Sequence, residues 1–536
     1  MKSKICSLGL VLIILFCFTG CAALNNPNKN VGLVSPFDYG LGDAKTGIET
    51  YWALYNAHVA ALNQKTNVNY DGIGRLEIEI PADAKSIPLT AMNDFKGLEL
   101  IVKNQSKDFT LFVKNNQSKK INIDKIDIDR GDFTKYEELK YGLHILKITD
   151  DTLWVDNREG YSYGHTREDI LLIKNGQAVN KTIYPYNNSE SIPSCCFFNP
   201  EESVVFKNIC FKRDENATHK TLLFFINGEN DVFVKNVSTS TPKSDMVNDY
   251  LMRTHNSTNV TFENVNIEGT YSRKNYSGYG ISLNNVWNYK AKGLICKANW
   301  GVFGNNNVNT SMLEDCVINR FDVHCYGKDF YFKNVRFEDL YNQFSSIFGD
   351  IVFDKCFFDK FEPVLYEPAY NAYTPHNILF NDCEINLTTK QNYLITTGNI
   401  KKTSNYREPI ARKCLPNVVI NKMKVNLPID VKEFILFKIG ANTDKDIVME
   451  YIDRVSISGV KFVCQNNTEP ITITICSNNV NTVNELFIQV KDIQKVKSNK
   501  GSNNIDKEDV VIIGMNKGNN NNRIETKNII GFNIKD

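Results

Sequence analysis

Val260-Thr261-Phe262-Glu263-Asn264-Val265-Asn266-Ile267 decides the fold. Apolar residues at 260 and 262, and again at 265 and 267, alternate with period two, the mark of a strand with one buried face. The alternation slips at Asn264. Asn, Asp and Gly tolerate left-handed backbone angles and so suit a tight bend. The stretch therefore reads as two short strands joined by a corner. The same template recurs as Phe330-x-Phe332-x-Asn334-Val335-x-Phe337, Ile351-x-Phe353-x-Lys355-Cys356-x-Phe358 and Ile378-x-Phe380-x-Asp382-Cys383-x-Ile385. Later copies centre on Lys422 and Gly459, and earlier ones on Asn208 and Asn236. The corners at 208, 236, 264, 315, 334, 355 and 382 are separated by 28, 28, 51, 19, 21 and 27 residues. The long step hides a degenerate turn between Tyr289 and Cys296. Steps of this size are one circuit of a three-sided coil, and stacked coils bury a core that no single coil could. The expected fold is a right-handed parallel β-helix. A β-sandwich would show hairpin turns at about 8–12 residues, and a propeller blades of about 40. Neither spacing fits as well.

The coil needs a lid, because an open end exposes both core and strand edges. Phe37-Asp38-Tyr39-Gly40 leads into a predicted helix from about Thr46 to Asn63, opened by the capping box Thr46-x-x-Glu49. Ile48, Trp52, Tyr55, Val59 and Leu62 recur at three or four residues and give it one apolar face. A strand from Gly74 to Pro81 follows. Asp38-Tyr39-Gly40, the helix and Ile80-Pro81-Ala82 together resemble the opening of the pectate-lyase-like superfamily of β-helix proteins. The resemblance implies architecture over most of the chain and says little about activity.

The first residues form a targeting segment. Lys2 and Lys4 precede an apolar run from Ile5 to Phe18, too short to span a membrane and typical of a secretory signal. Phe18-Thr19-Gly20-Cys21 resembles the lipobox of bacterial lipoproteins, which implies lipidation of Cys21 after cleavage. Phe18 departs from the usual Leu. Ala22 is not an inner-membrane retention signal, so the cell envelope, at the outer membrane, is expected. The domain reading is a signal peptide at 1–20, a tether at 21–36, a capped N-terminal region at 37–90 and the β-helix at 91–536.

Lys and Arg number 62 against 61 Asp and Glu, and hydrophobic residues make up 42%. That content excludes wholesale disorder. The balanced charge argues against nucleic acid as a partner and against a polybasic membrane-surface protein. Of the 14 Cys, those at 195, 196, 210, 296, 316, 325, 356, 383, 414, 464 and 476 lie beyond the leader and Cys21. They form neither a disulfide framework nor a Cys-x-x-Cys zinc pair, and are expected as buried small hydrophobes. No nucleotide-binding Gly-rich loop occurs. No cofactor is expected, and calcium is unsupported because no Asp-rich loop occurs.

In a β-helix, inward residues build the core and outward residues of stacked strands build a groove. Arg320-Phe321-Asp322-Val323-His324-Cys325-Tyr326 would point Phe321, Val323 and Cys325 inward. Arg320, Asp322, His324 and Tyr326 would then share an outward face, roughly 7 Å between alternate residues. This run also resembles one found in bacterial β-helix proteins of the same superfamily. His324 would be the general acid or base, with Asp322 orienting it or serving as a second carboxylate. Arg320 would neutralise an acidic sugar. Arg253 and His255 place two further cationic groups on one face, two or three coils earlier, as substrate-binding residues. Arg273 and Tyr276, in an aromatic and basic loop, and Trp300 would stack on or pair with sugar rings. The ordered Asn-Thr-Asp, Asp-Asp, Gly-His-Gly and Arg-Ile-Lys motifs of polygalacturonase-like hydrolases are not assembled: Asn442-Thr443-Asp444 stands late, with no partners after it. The Arg-x-Pro-x-x-Arg run of classical pectate lyases does not occur. The expectation is a lipid-anchored polysaccharide-active enzyme, a glycoside hydrolase or polysaccharide lyase. The alternatives are a non-catalytic glycan-binding or adhesin-like surface lipoprotein, and a structural lipoprotein without a specific ligand.

Overall fold

The computed structural model describes residues 32–535 apart from 106, 156–164, 184, 190, 202, 215–218, 241–249, 269–271, 274–275, 278, 298–300, 324–326, 339–341, 345–346, 360–363, 367–376, 388–392, 398–413, 416, 429–430, 439–449, 452–453, 465–471, 479–486, 498–509, 517–522 and 531–532. The chain winds into a right-handed parallel β-helix with three stacked sheets. The strand Tyr250–Glu268 passes through all three. Its first part lies in sheet B, between Thr221–Asn227 and Tyr279–Lys292. Its middle lies in sheet C, where Val260 pairs Val232 and Tyr289. Its end lies in sheet A, where Ile267 pairs Thr239 and Cys296. Every one of these pairings is parallel.

The corner between sheets C and A is the one legible in the template. Asn208, Asn236, Asn264, Asp315, Asn334, Lys355 and Asp382 all have positive φ, from +51° to +61°. Gly293, with φ +63°, fills the long step inside the expected interval. Asn side chains stack along this corner. Asn236 Nδ2 donates to Asn208 Oδ1 at 3.0 Å, and Asn334 Nδ2 to Asp315 Oδ1 at 2.7 Å. The corner between sheets B and C carries a second Asn ladder through Asn115, Asn227, Asn256, Asn285 and Asn307. Inside, Val260, Phe262, Val265 and Ile267 are fully buried. Phe332, Phe353 and Phe380 stack at 5.0 and 4.9 Å, one per coil. Cys296, Cys316, Cys356 and Cys383 are free thiols in this core.

Helix α1, Gly47–Asn63, closes the first coil and begins with the expected capping box of Thr46 and Glu49. Its buried side differs from the expected one. Thr50, Tyr51, Ala53, Leu54, Ala57, His58 and Ala61 face the core, while Ile48 and Leu62 are exposed and Trp52, Tyr55 and Val59 half-buried. The reason is close approach. Ala53, Ala57 and Ala61 let the helix sink onto the coil, and a Cβ at Gly47 would lie 2.7 Å from the Glu79 backbone nitrogen. His58 is sealed inside, its ring nitrogens on Pro88 O at 2.9 Å and Tyr70 Oη at 2.7 Å, and burial lowers its pKa to about 4.

The chain leaves the coil after Asn115 and rejoins it at Val204. Between them lies an antiparallel five-stranded sheet, in the order Lys119–Ile121, Ser194–Phe198, Leu143–Val155, His165–Lys174, Gln177–Ala178. The β-helix expected over 91–536 is thus interrupted between Asn115 and Val204. The insertion has its own core around Ile128, Phe133, Leu146, Leu171 and Ile173. Its other side, with Ile145, Ile170, Leu172 and Phe198, packs on Trp287 of the coil. No helix among the described residues is long and apolar enough to cross a membrane.

Candidate functional site

Arg320 and Asp322 do not form an open face. Arg320 is 1% and Asp322 0% exposed, and the guanidinium is paired with the carboxylate. Phe321 and Val323 enter the core as expected, so the alternation itself holds. What differs is the cover. The strand Asp322–Val323 has two residues, and only Asn319–Phe321 connect it to Val317–Ile318. Tyr279, from two coils earlier, donates its hydroxyl to Asp322 Oδ2 at 2.9 Å. The Phe321 amide donates to the buried Asn342 Oδ1 at 2.7 Å. A tight corner thus seals an ion pair that was expected to line a groove. Burial of two charges is tolerable only as such a pair. His324 and Tyr326 lie outside the described residues.

Arg253 and His255 stand outward on sheet B, half-buried, as expected. Register places Phe225 and Ser282 on either side of Arg253, and Asn227 and Asn284 on either side of His255. The His255 ring meets the Phe225 ring edge-on at 5.0 Å. Burial, then the cations of Arg253 and Lys147, push its pKa down to about 4. The lowered pKa favours an uncharged His255 ring beside Arg253, where two cationic groups were expected.

The two expected clusters do share one column of sheet B. Arg253 pairs Ser282, Ser282 pairs Gly304, and the Asn305–Val323 pair aligns Gly304 with Asp322. At about 4.8 Å per strand, the three steps span ~14 Å. The two middle positions are small. Arg273 and Tyr276 pair across a short antiparallel hairpin, Ser272–Arg273 with Tyr276–Ser277. Trp300 lies outside the described residues.

The insertion contributes residues that the sequence did not single out. Lys147 pairs with Glu168 at 2.7 Å, and Asn285 Nδ2 donates to Glu168 Oε2 at 2.6 Å. This joins the insertion to the second Asn ladder beside His255. Arg167, next to Glu168, is buried, stacked 3.5 Å over Tyr186.

A carboxylate pair lies at the same corner. Glu229 is 1% exposed, and burial raises its pKa to about 7. Its Oε2 accepts from the Glu201 backbone N–H at 3.0 Å, while the Glu201 carboxylate pairs with Lys114. Its own N–H donates to Ser257 Oγ, which donates to the His255 carbonyl. Nothing local marked it, because a Glu after Asn227-Gly228 reads as an exposed turn residue. Among the described residues, no three His, Cys, Asp or Glu side chains gather as a metal site requires.

No family model matches the chain, and no curated protein does. Among solved structures it is similar to the tailspike gp61 of Pseudomonas phage phi297, at 10% identity and TM-score 0.46, over 90% of this chain and 80% of that one. It is also similar to the Gp54 tailspike of Acinetobacter baumannii bacteriophage AP22, solved in complex with A. baumannii capsular saccharide, at 10% identity and TM-score 0.34, over 92% and 76%. The β-helix assignment stands on the strand register, independently of either neighbour.

Proposed function

We propose that this chain is a polysaccharide-binding protein of the cell envelope, lipid-anchored through Cys21 at the outer membrane. Its glycan would lie along the outer face of sheet B beside the insertion. One observation carries this reading: Arg253 stands half-buried on the outer face of sheet B beside His255 and the Glu168-paired Lys147, with the buried Ser282 and then Gly304 following it in the column. A chain of sugars needs length, a cation for acidic substituents and neutral groups for hydroxyls, and these residues supply them. Arg320 and Asp322 would then support the corner from beneath rather than touch the sugar.

Cleavage, by hydrolysis or elimination, is the second reading. Burial raises the Glu229 pKa to about 7 beside the salt-bridged Glu201, the character of an acid set against a base, but at 1% exposed its carboxyl lies beneath the surface that a sugar would touch. His324 remains the candidate acid or base of the sequence reading. A screen of acidic and neutral glycans tests both. Binding without new reducing ends or unsaturated uronate product supports the first reading. Product lost in both Glu229→Gln and His324→Ala would refute it in favour of an enzyme, and binding to no glycan would refute both.

A further inference from the structure

Helix α1 carries an apolar stripe on its outer side as well as its inner one, bordered by the exposed Glu49, Asn56 and Asn63, and an apolar stripe is ordinarily covered. Its inner side rests on the first coil. Its outer side carries Ile48 and Leu62, 40% and 41% exposed, with the half-buried Val59 and with Trp52 and Tyr55, which are half-buried and also touch the core. The rings of Trp52 and Tyr55 meet edge-on at 5.4 Å. The segment entering the fold packs beside α1 and adds Leu33 and Phe37, 55% and 52% exposed. Lys45 and Lys65 are exposed just beyond the two ends of the helix.

The chain outside the described structure ends at this face. The Gly32 carbonyl accepts from Thr66 Oγ1 just past the end of α1, and Val34 bridges to Val68. Residues 22–31 can span at most ~35 Å. A lipid on Cys21 would therefore hold this face within about that distance of a bilayer, at high effective concentration. Trp and Tyr suit the interface, where one end of the ring is wet and the other apolar, and flanking Lys suits anionic headgroups.

We propose that the outer face of α1, with Leu33 and Phe37, lies on the lipid surface and stands the coil out from the membrane. The proposal rests on the lipid-anchor reading of Cys21. The test uses the mature chain with a histidine tag in place of Cys21, captured on phosphatidylcholine–phosphatidylglycerol vesicles holding nickel-chelating lipid and brominated acyl chains. Tryptophan emission should be quenched in the wild type. The quenched component should vanish in Trp52→Phe, and in Ile48→Asp/Leu62→Asp with an unchanged circular dichroism spectrum. Equal quenching of wild type and Trp52→Phe overturns the proposal. So does a dimer in the absence of vesicles that the double Asp variant dissolves, because a second copy would then cover the face. Palmitate labelling of cells carrying the wild type or Cys21→Ala tests the anchor separately. No label on the wild type overturns the anchor reading, whereas lost quenching overturns the face.

Discussion

Asn236 does two things at one position: it holds φ at +52°, and its side chain donates to the coil below at 3.0 Å. A β-branched residue there would pay the left-handed penalty and break the ladder. We expect Asn236→Val to lower stability by about 1–2 kcal/mol and Asn236→Gly by less, read as urea midpoints. Corner residues of this kind were legible because polarity and position coincide in the template. The fate of Arg320 and Asp322 was not, because alternation tells on which side of a strand a residue stands and not what covers it. Losing one member of their buried pair should be severe. Arg320→Met alone should cost about 3–5 kcal/mol, and Arg320→Met/Asp322→Leu should recover most of that, in a double-mutant cycle of denaturant unfolding. Glu229 sets a pH dependence. Its folded pKa, about 7, lies above the ordinary 4.5, so the folded state holds the proton more tightly. Stability from this group is full below about 4.5 and falls as pH rises to about 7. Glu229→Gln should flatten that slope, gaining on the wild type at and above pH 7 in melting temperature.

Elements show where pattern reading succeeds and where it cannot choose. The capping box of α1 was legible from Thr46-x-x-Glu49 and is formed, Glu49 N–H donating to Thr46 Oγ1 at 3.2 Å. Thr46→Ala should cost ~1 kcal/mol, measurable as a lowered melting temperature. The buried side of α1 was not legible, because the Ile48–Leu62 stripe and the Leu54–Ala57–Ala61 side are both apolar, and small size decided between them. The insertion was half visible. Its strand through Ile170–Ile173 is an unbroken apolar run, buried on one side in the insertion's own core and on the other against the coil, and such a run does not distinguish an antiparallel neighbour from a parallel one.

At the scale of the molecule, the chain is mostly one solenoid, with a core running from α1 to Ile493 and a small sheet docked at the corner between sheets B and C. The template carried that architecture, since each coil repeats it. The candidate site was legible only in part. Arg253 and His255 face outward as read, but the insertion that flanks them is distant in sequence, and its Lys147 was invisible to a search for local motifs. The balanced charge leaves no global field, so an acidic glycan must meet local cations. The most direct test is a titration of the best-bound acidic glycan against wild type, Arg253→Ala and Glu268→Ala, the last on sheet A. The account predicts at least about a tenfold loss of affinity for Arg253→Ala, equivalent to ~1.4 kcal/mol, with Glu268→Ala binding like wild type. Equal affinity of Arg253→Ala and wild type would contradict it.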